Sequence, residues 1–201
     1  MNPVDLTAEN LKKRDFLVSV FDTKEEAADY LDRRIDGCTV GIGGSVTLKE
    51  MGVYPRLVTH NTVYWHWEAS ELSRMELFRR AAESDVYLSS VNAIAESGEI
   101  VNIDGSCNRV SAIAFGHKKV YLVAGAQKIA RDLPSAIDRA RNIAAPKNAQ
   151  RLARNTPCAK NADRCYDCKA PERICASIQI LLTPSSGQET EVVLIREELG
   201  Y

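Results

Sequence analysis

The sequence predicts an α/β fold, a mostly parallel sheet flanked by helices, and three observations carry that prediction. Short runs of β-branched and aromatic residues alternate with amphipathic stretches along the chain. The clearest amphipathic stretch opens on a helix-capping signal at Thr23. Asn, Asp and Gly gather where strands would end, the side of an open α/β sheet that receives ligands.

The elements follow in order. Met1–Lys13, with Val4, Leu6 and Leu11 among charged neighbours, reads as a short amphipathic helix, and Phe16–Phe21 as the first strand. Thr23 and Glu26 match the capping box, Ala27, Tyr30, Leu31 and Ile35 continue one apolar face, and Asp36-Gly37 ends the helix. Thr39–Ile42 is a β-rich run that enters Gly43-Gly44-Ser45-Val46-Thr47, after which Leu48–Met51 starts a helix. Arg56–Asn61 reads as a strand, and Glu68–Ser84 as a helix built on Leu72, Met75, Leu77 and Phe78. Val86–Val91 and Lys119–Val123 are strands within and beside the polar stretch Ser89–Ile129. Asp132–Ala144 reads as a helix that Pro146 breaks. Ser177–Thr183 and Glu191–Ile195, joined through Pro184-Ser185-Ser186-Gly187, read as a C-terminal hairpin closing the sheet edge.

A chain of 201 residues supports one well-buried core, so residues 1–201 are read as a single domain with a small appendage. Lys plus Arg (26) nearly cancels Asp plus Glu (27), which leaves no basic field for nucleic acid. No stretch approaches the roughly 18 apolar residues of a membrane span, and the amino terminus lacks a secretory pattern. A cytoplasmic protein is the expectation. In that reducing compartment the six cysteines are thiols, metal ligands or redox groups rather than structural disulfides.

Two stretches carry candidate chemistry. At Gly43-Gly44-Ser45-Val46-Thr47, glycines let backbone N–H groups approach an anion and the Ser45 and Thr47 hydroxyls add donors; a plain strand-to-helix turn uses the same residues. Between Val91 and Lys119 lie Asn92, Glu96, Asn102, Asp104, Asn108 and Arg109, residues that suit either a ligand crevice or ordinary turns. The aromatic patch Tyr64, Trp65 and Trp67 with His60 and His66 suits a lid, a pocket wall or a homodimer contact better than a metal pair.

The segment 155–176 forms a cysteine-rich knuckle, in which Cys158, Cys165, Cys168 and Cys175 follow the pattern C-x6-C-x2-C-x6-C. The central pair has the spacing that grips one ion, and the outer thiols can complete a zinc site or hold an iron–sulfur cluster. Air-formed disulfides, or thiols packed as small apolar side chains, are the alternatives. Cys107 is a candidate nucleophile, with a turn residue as the simpler reading.

The succession GIGGSVTLKEMG (41–52), VNAIAESGEIVNIDGSCNRVSAIAFG (91–116), VAGAQKI (123–129), AAPKNAQRL (144–152) and TPCAKNADRCYDC…RIC (156–175) resembles the LUD-domain family of lactate utilisation proteins, in its branch with a cysteine-bearing tail. That resemblance implies a fold of the ribose-phosphate isomerase, CoA-transferase and formyltetrahydrofolate cyclo-ligase type. It implies a part in oxidising lactate to pyruvate beside iron–sulfur partner proteins. The positions it shares are Gly43, Gly44, Ser45, Thr47, Asn92, Gly98, Asn102, Asp104, Gly105, Asn108, Arg109 and Lys128, with Gln127 and Cys107 as departures.

Three functions follow as expectations. The first is binding of a small anionic metabolite, a hydroxy or keto acid or a phosphorylated compound. Gly43–Thr47 would receive the anion, Arg109 or Lys128 would supply charge, and Asn102 and Asn108 would orient hydroxyls. No nicotinamide or flavin fingerprint accompanies it. The second is an isomerase or acyl-transferase in which Glu96 or Asp104 is the base or nucleophile. The third is a non-catalytic assembly or electron-transfer subunit that works through the four-cysteine knuckle.

Overall fold

A computed structural model describes residues 2–201, and Met1 of the expected first helix lies outside them. The architecture is α/β. Among the described residues ten strands build two sheets: β1 (Leu17–Phe21), β2 (Thr39–Ile42), β3 (Thr62–Trp65), β4 (Val86–Ser90), β5 (Ala93–Ala95), β6 (Ile100–Asp104), β7 (Lys119–Gly125), β8 (Ile129–Ala130), β9 (Ser177–Leu181) and β10 (Glu189–Ile195). The larger sheet has the order β1-β10-β7-β4-β2-β3 and every pairing in it is parallel. The smaller, β8-β5-β6-β9, is mixed.

Parallel strands need helical crossovers, so both faces of the large sheet are covered and its strands are apolar on both sides. On one face α2 (Lys24–Arg34), α3 (Val46–Glu50) and α4 (Val53–Leu57) bring Ala27, Leu31, Leu48 and Leu57 against Ile42, Val193 and Ile195. On the other, α1 (Pro3–Lys13), α5 (Arg74–Ala82) and α6 (Asn108–Ala114) pack Leu11, Ala81 and Ile113 against Tyr87, Val120 and Leu122, and Ile94 and Ile100 of the small sheet join them. A third cluster sets Ala136 and Ala140 on Ala93, Ala95 and Val101, and thereby ties α7 (Leu133–Arg139) to the small sheet.

Local chemistry explains several ends. Thr23 and Glu26 make both bonds of the capping box at α2. Gly41 of β2 sits so close to α5 that a Cβ there would collide with the Ala81 carbonyl oxygen and lie 2.8 Å from Ser84 Oγ. Gly41→Ala is therefore expected to cost about 1–3 kcal/mol, read as a lower urea midpoint with unchanged slope.

Four expectations are corrected. Arg56–Asn61 is not a strand: Gly52 in a left-handed conformation starts α4, whose first turn accepts Pro55, and the strand begins at Thr62. The helix expected over Glu68–Ser84 starts at Arg74, where Ser73 Oγ accepts the Glu76 N–H, and Leu72 and Met75 are exposed rather than core. Pro146 does not break the third-cluster helix. A π-helical turn over Ala140–Ala144 shifts the hydrogen-bond register, and Pro146 then falls in the first turn of α8 (Ala145–Arg151), where its missing N–H costs nothing. The C-terminal hairpin is absent. β9 pairs antiparallel with β6 at the edge of the small sheet, whereas β10 is an interior strand between β1 and β7.

Candidate functional site

The loops after β2, β4, β6 and β7 converge at the strand ends of the large sheet, on a cavity of about 180 Å³. Gly44–Thr47 form one side, Ser90–Asn92 and Ile103–Arg109 another, and Lys128 lies between them. His66 and Trp67 follow β3, Arg74 and Phe78 come from α5, and Arg151 from α8; with Tyr201 these complete the rim. Trp67 stacks on Trp65 and carries the Arg151 guanidinium 4.7 Å above its ring, while His66 meets the edge of Phe78. Of the aromatic patch, His66 and Trp67 thus form part of the pocket wall, whereas Trp65 is buried in the core and Tyr64 packs against the other face of the sheet. His60 is elsewhere, between Asp32 and Asp36, each 3.0 Å away.

Positive charge dominates the lining. Among the described residues of the lining, Arg74, Arg109, Arg151 and Arg154, with Lys128, face one acidic side chain, Asp104. Burial, with Arg74 and Arg151 beside it, pushes the His66 pKa down to about 4, so that ring is neutral near pH 7.

Asp104 and Arg109 are braces rather than free reagents. Asp104 Oδ1 accepts the N–H groups of Ser106 and Cys107 at 3.1 Å, and Oδ2 accepts those of Arg109 and Val110 at 3.1 and 3.2 Å. Its carboxylate therefore organises the β6–α6 turn, within which Cys107 takes a positive φ of 61° and its thiol reaches Ser177 Oγ. The buried Arg109 guanidinium donates through Nη1 to Ser90 O and Asn102 Oδ1, and through Nη2 to Asn92 Oδ1 and Ile103 O. Those four oxygens are neutral. Burial lowers the Arg109 pKa, and Asp104, 3.9 Å from Nε, opposes the shift.

The remaining expected residues divide between cavity and scaffold. Gly44, Ser45, Thr47, Asn92 and Asn108 line the cavity. Gly43 belongs to the strand network, with its N–H on Leu88 O and its carbonyl accepting from Trp65 Nε1. Asn102 is buried behind Arg109. Glu96 sits at the turn between β5 and β6, where its carbonyl accepts from Asn10 Nδ2, outside the cavity lining.

Lys128 is the unusual group. It ends a 3₁₀ turn after β7, is 2 % exposed, and donates from Nζ to Thr47 Oγ1 at 2.7 Å. Burial, then Arg139 and Arg109, push its pKa down to about 7. Thr47 Oγ1 in turn donates to Leu199 O, and Gly200 packs directly over the pair.

The four knuckle cysteines are free and half-buried, each with its own neighbours: Cys158 Sγ lies 3.3 Å from Thr156 Oγ1, and Cys165 Sγ accepts the Asp167 N–H. Among the described residues, no group of three or more His, Cys, Asp or Glu side chains is arranged to hold a metal ion. The tetrathiolate centre that the spacing suggested is not assembled in this conformation.

The sequence matches the LUD domain family over residues 4–195, nearly its whole length. The chain belongs to the LUD domain family. A crystal structure of a DUF162 family protein from Deinococcus radiodurans shares the architecture of this LUD domain, with a TM-score of 0.53 at 10% identity and coverage of 96% of each chain. No curated protein matches the sequence significantly. In this LUD domain no helix among the described residues is long and apolar enough to cross a membrane.

Sequence reasoning missed Arg74, Arg154 and Tyr201, which reach the rim from distant parts of the chain. Arg151 had a signal. It lies in the motif 144–152 together with Asn148, whose side chain it binds at 2.8 Å through Nη2.

Proposed function

We propose that this LUD domain binds a small carboxylate metabolite, a hydroxy acid of the lactate type or its keto acid, in the strand-end cavity. Family membership supports a protein related to lactate utilisation. The observation that carries the finer reading is charge: among the described residues four arginines, Arg74, Arg109, Arg151 and Arg154, surround a cavity whose one side-chain carboxylate is engaged by backbone N–H groups. A ligand carboxylate balances that excess, and about 180 Å³ suits a molecule of a few heavy atoms.

Roles follow from position. Arg74 lies over the Phe78 ring and Arg151 over Trp67, so both guanidinium planes are held by aromatic faces at the mouth. They receive the anion there, a task Arg109 is too enclosed to perform. Lys128 and Thr47 at the floor meet the carbon-bound oxygen of the ligand.

Thermal shift tests this reading with lactate, pyruvate, a sugar phosphate and the neutral lactamide. At ten times Kd an anion should stabilise by about 1.4 kcal/mol, raising Tm by about 3–6 °C. Lactamide should do nothing, and Arg151→Ala should weaken the response to the acids. A shift with the sugar phosphate alone replaces the carboxylate by a phosphorylated ligand. No shift with any anion removes the proposal.

A further inference from the structure

We infer that Lys128 is an amine nucleophile that captures a small α-keto acid as a reversible imine. The inference rests on the proposed anion site and adds a covalent step to it. Lys128 is the one lysine lining the cavity, its Nζ is held by the Thr47 hydroxyl at 2.7 Å, and no carboxylate pairs with it among the described residues. A buried ammonium without a counter-ion is costly, so the arrangement favours the neutral amine. Arg139 and Arg109 act in the same direction, while Glu50 opposes them. This combination of desolvation and neighbouring cations activates lysine as a nucleophile at neutral pH.

The backbone over the amine is closely packed. Gly200 has a φ of 65°, and a Cβ there would lie 2.5 Å from Thr47 Oγ1 and 3.3 Å from Lys128 Nζ. A side chain at that position would displace Thr47 Oγ1 from Nζ, so glycine is what lets the C-terminal segment close against the amine and keep it desolvated.

In the step itself the Nζ lone pair adds to the keto carbon and the carbonyl π electrons move to oxygen. That oxygen leaves as water with both amine hydrogens, and the C=N bond forms. A proton from solvent gives the iminium, and hydrolysis reverses the sequence. No electrons change hands. A hydroxy acid has no carbonyl to react, so capture distinguishes the keto acid from its reduced partner.

The test is reductive trapping of the full chain with pyruvate and cyanoborohydride at pH 7, followed by peptide mapping. One adduct on the Lys128 peptide is expected, forming about tenfold or more faster than at any other lysine, because only there does the cavity hold the keto acid beside a desolvated amine. Lactate should give none, and Lys128→Met should lose the adduct. Site-resolved rates within the wild-type chain keep the test valid if that variant folds poorly. Labelling spread evenly over surface lysines overturns the inference. So does a Tm rise with pyruvate without an adduct at Lys128, although that outcome leaves the anion site standing. Neither a Tm rise nor an adduct removes both.

Discussion

Asp104→Ala is expected to destabilise the protein by about 3–5 kcal/mol, the loss typical of breaking a buried charge pair from one side. The carboxylate accepts four backbone N–H groups of the β6–α6 turn and faces the otherwise neutral surroundings of Arg109. Its removal orphans those donors and leaves a buried guanidinium without a counter-charge. Cys107 would then have to keep a positive φ without the bond that fixes its N–H. Urea denaturation monitored by circular dichroism measures the loss. A variant of near wild-type stability would mean that Asp104 is free to act as an acid or base, which would revive the isomerase or acyl-transferase reading.

Lys128→Met should have the opposite sign at neutral pH. The folded pKa of about 7 lies below the ordinary 10.5, so between those values the unfolded chain binds a proton that the folded chain does not. Wild-type stability attributable to this group therefore rises with pH from about 7 to 10.5 and is lowest, and flat, below 7. Methionine removes that dependence and fills similar volume. The variant should be more stable than wild type at pH 6, on the order of a few kcal/mol, with the gain shrinking toward pH 10.5. Thr47 keeps Leu199 O as its acceptor, which limits the compensating loss. Paired melts across that window check the prediction. A difference that does not change with pH would show that Lys128 is charged in the fold.

What could be read from the sequence was mainly local. Thr23 and Glu26 specified a helix start because the capping box needs only residues within one turn. The β-rich runs at Phe16–Phe21, Thr39–Ile42 and Val86–Val91 led to strands that pair in parallel. Partner choice was not local. The run Val192–Ile195 is equally apolar as a hairpin arm or as an interior strand, and only the crossovers of the whole sheet place β10 beside β7. Pro146 looks like a helix breaker in the sequence, but the π turn before it, with Ala140 and Ala144 buried, follows from packing rather than from local propensity.

The site followed the same division. Gly44, Ser45 and Thr47 were legible as a strand-to-helix junction, and Lys128 entered through the family resemblance. Asp104 and Arg109 were legible as polar residues near a strand end, but their engagement with backbone and amide oxygens depends on how β4, β6 and α6 meet. The rim arginines could not be found by spacing, since Arg74 and Arg151 come from helices far apart in the chain.

A small carboxylate bound in the cavity around Lys128 must change the backbone dynamics of the segments that line it. Hydrogen–deuterium exchange of the full chain with and without saturating lactate or pyruvate tests it most directly, because it locates the ligand as well as detecting it. Slowed exchange is expected in Gly44–Glu50, in Ser106–Val110, beside Ile174 and at Leu199–Tyr201, with the amino ends of the strands and residues 158–170 of the knuckle unchanged. Protection centred on residues 158–170, or an exchange pattern that neither acid alters, would contradict it.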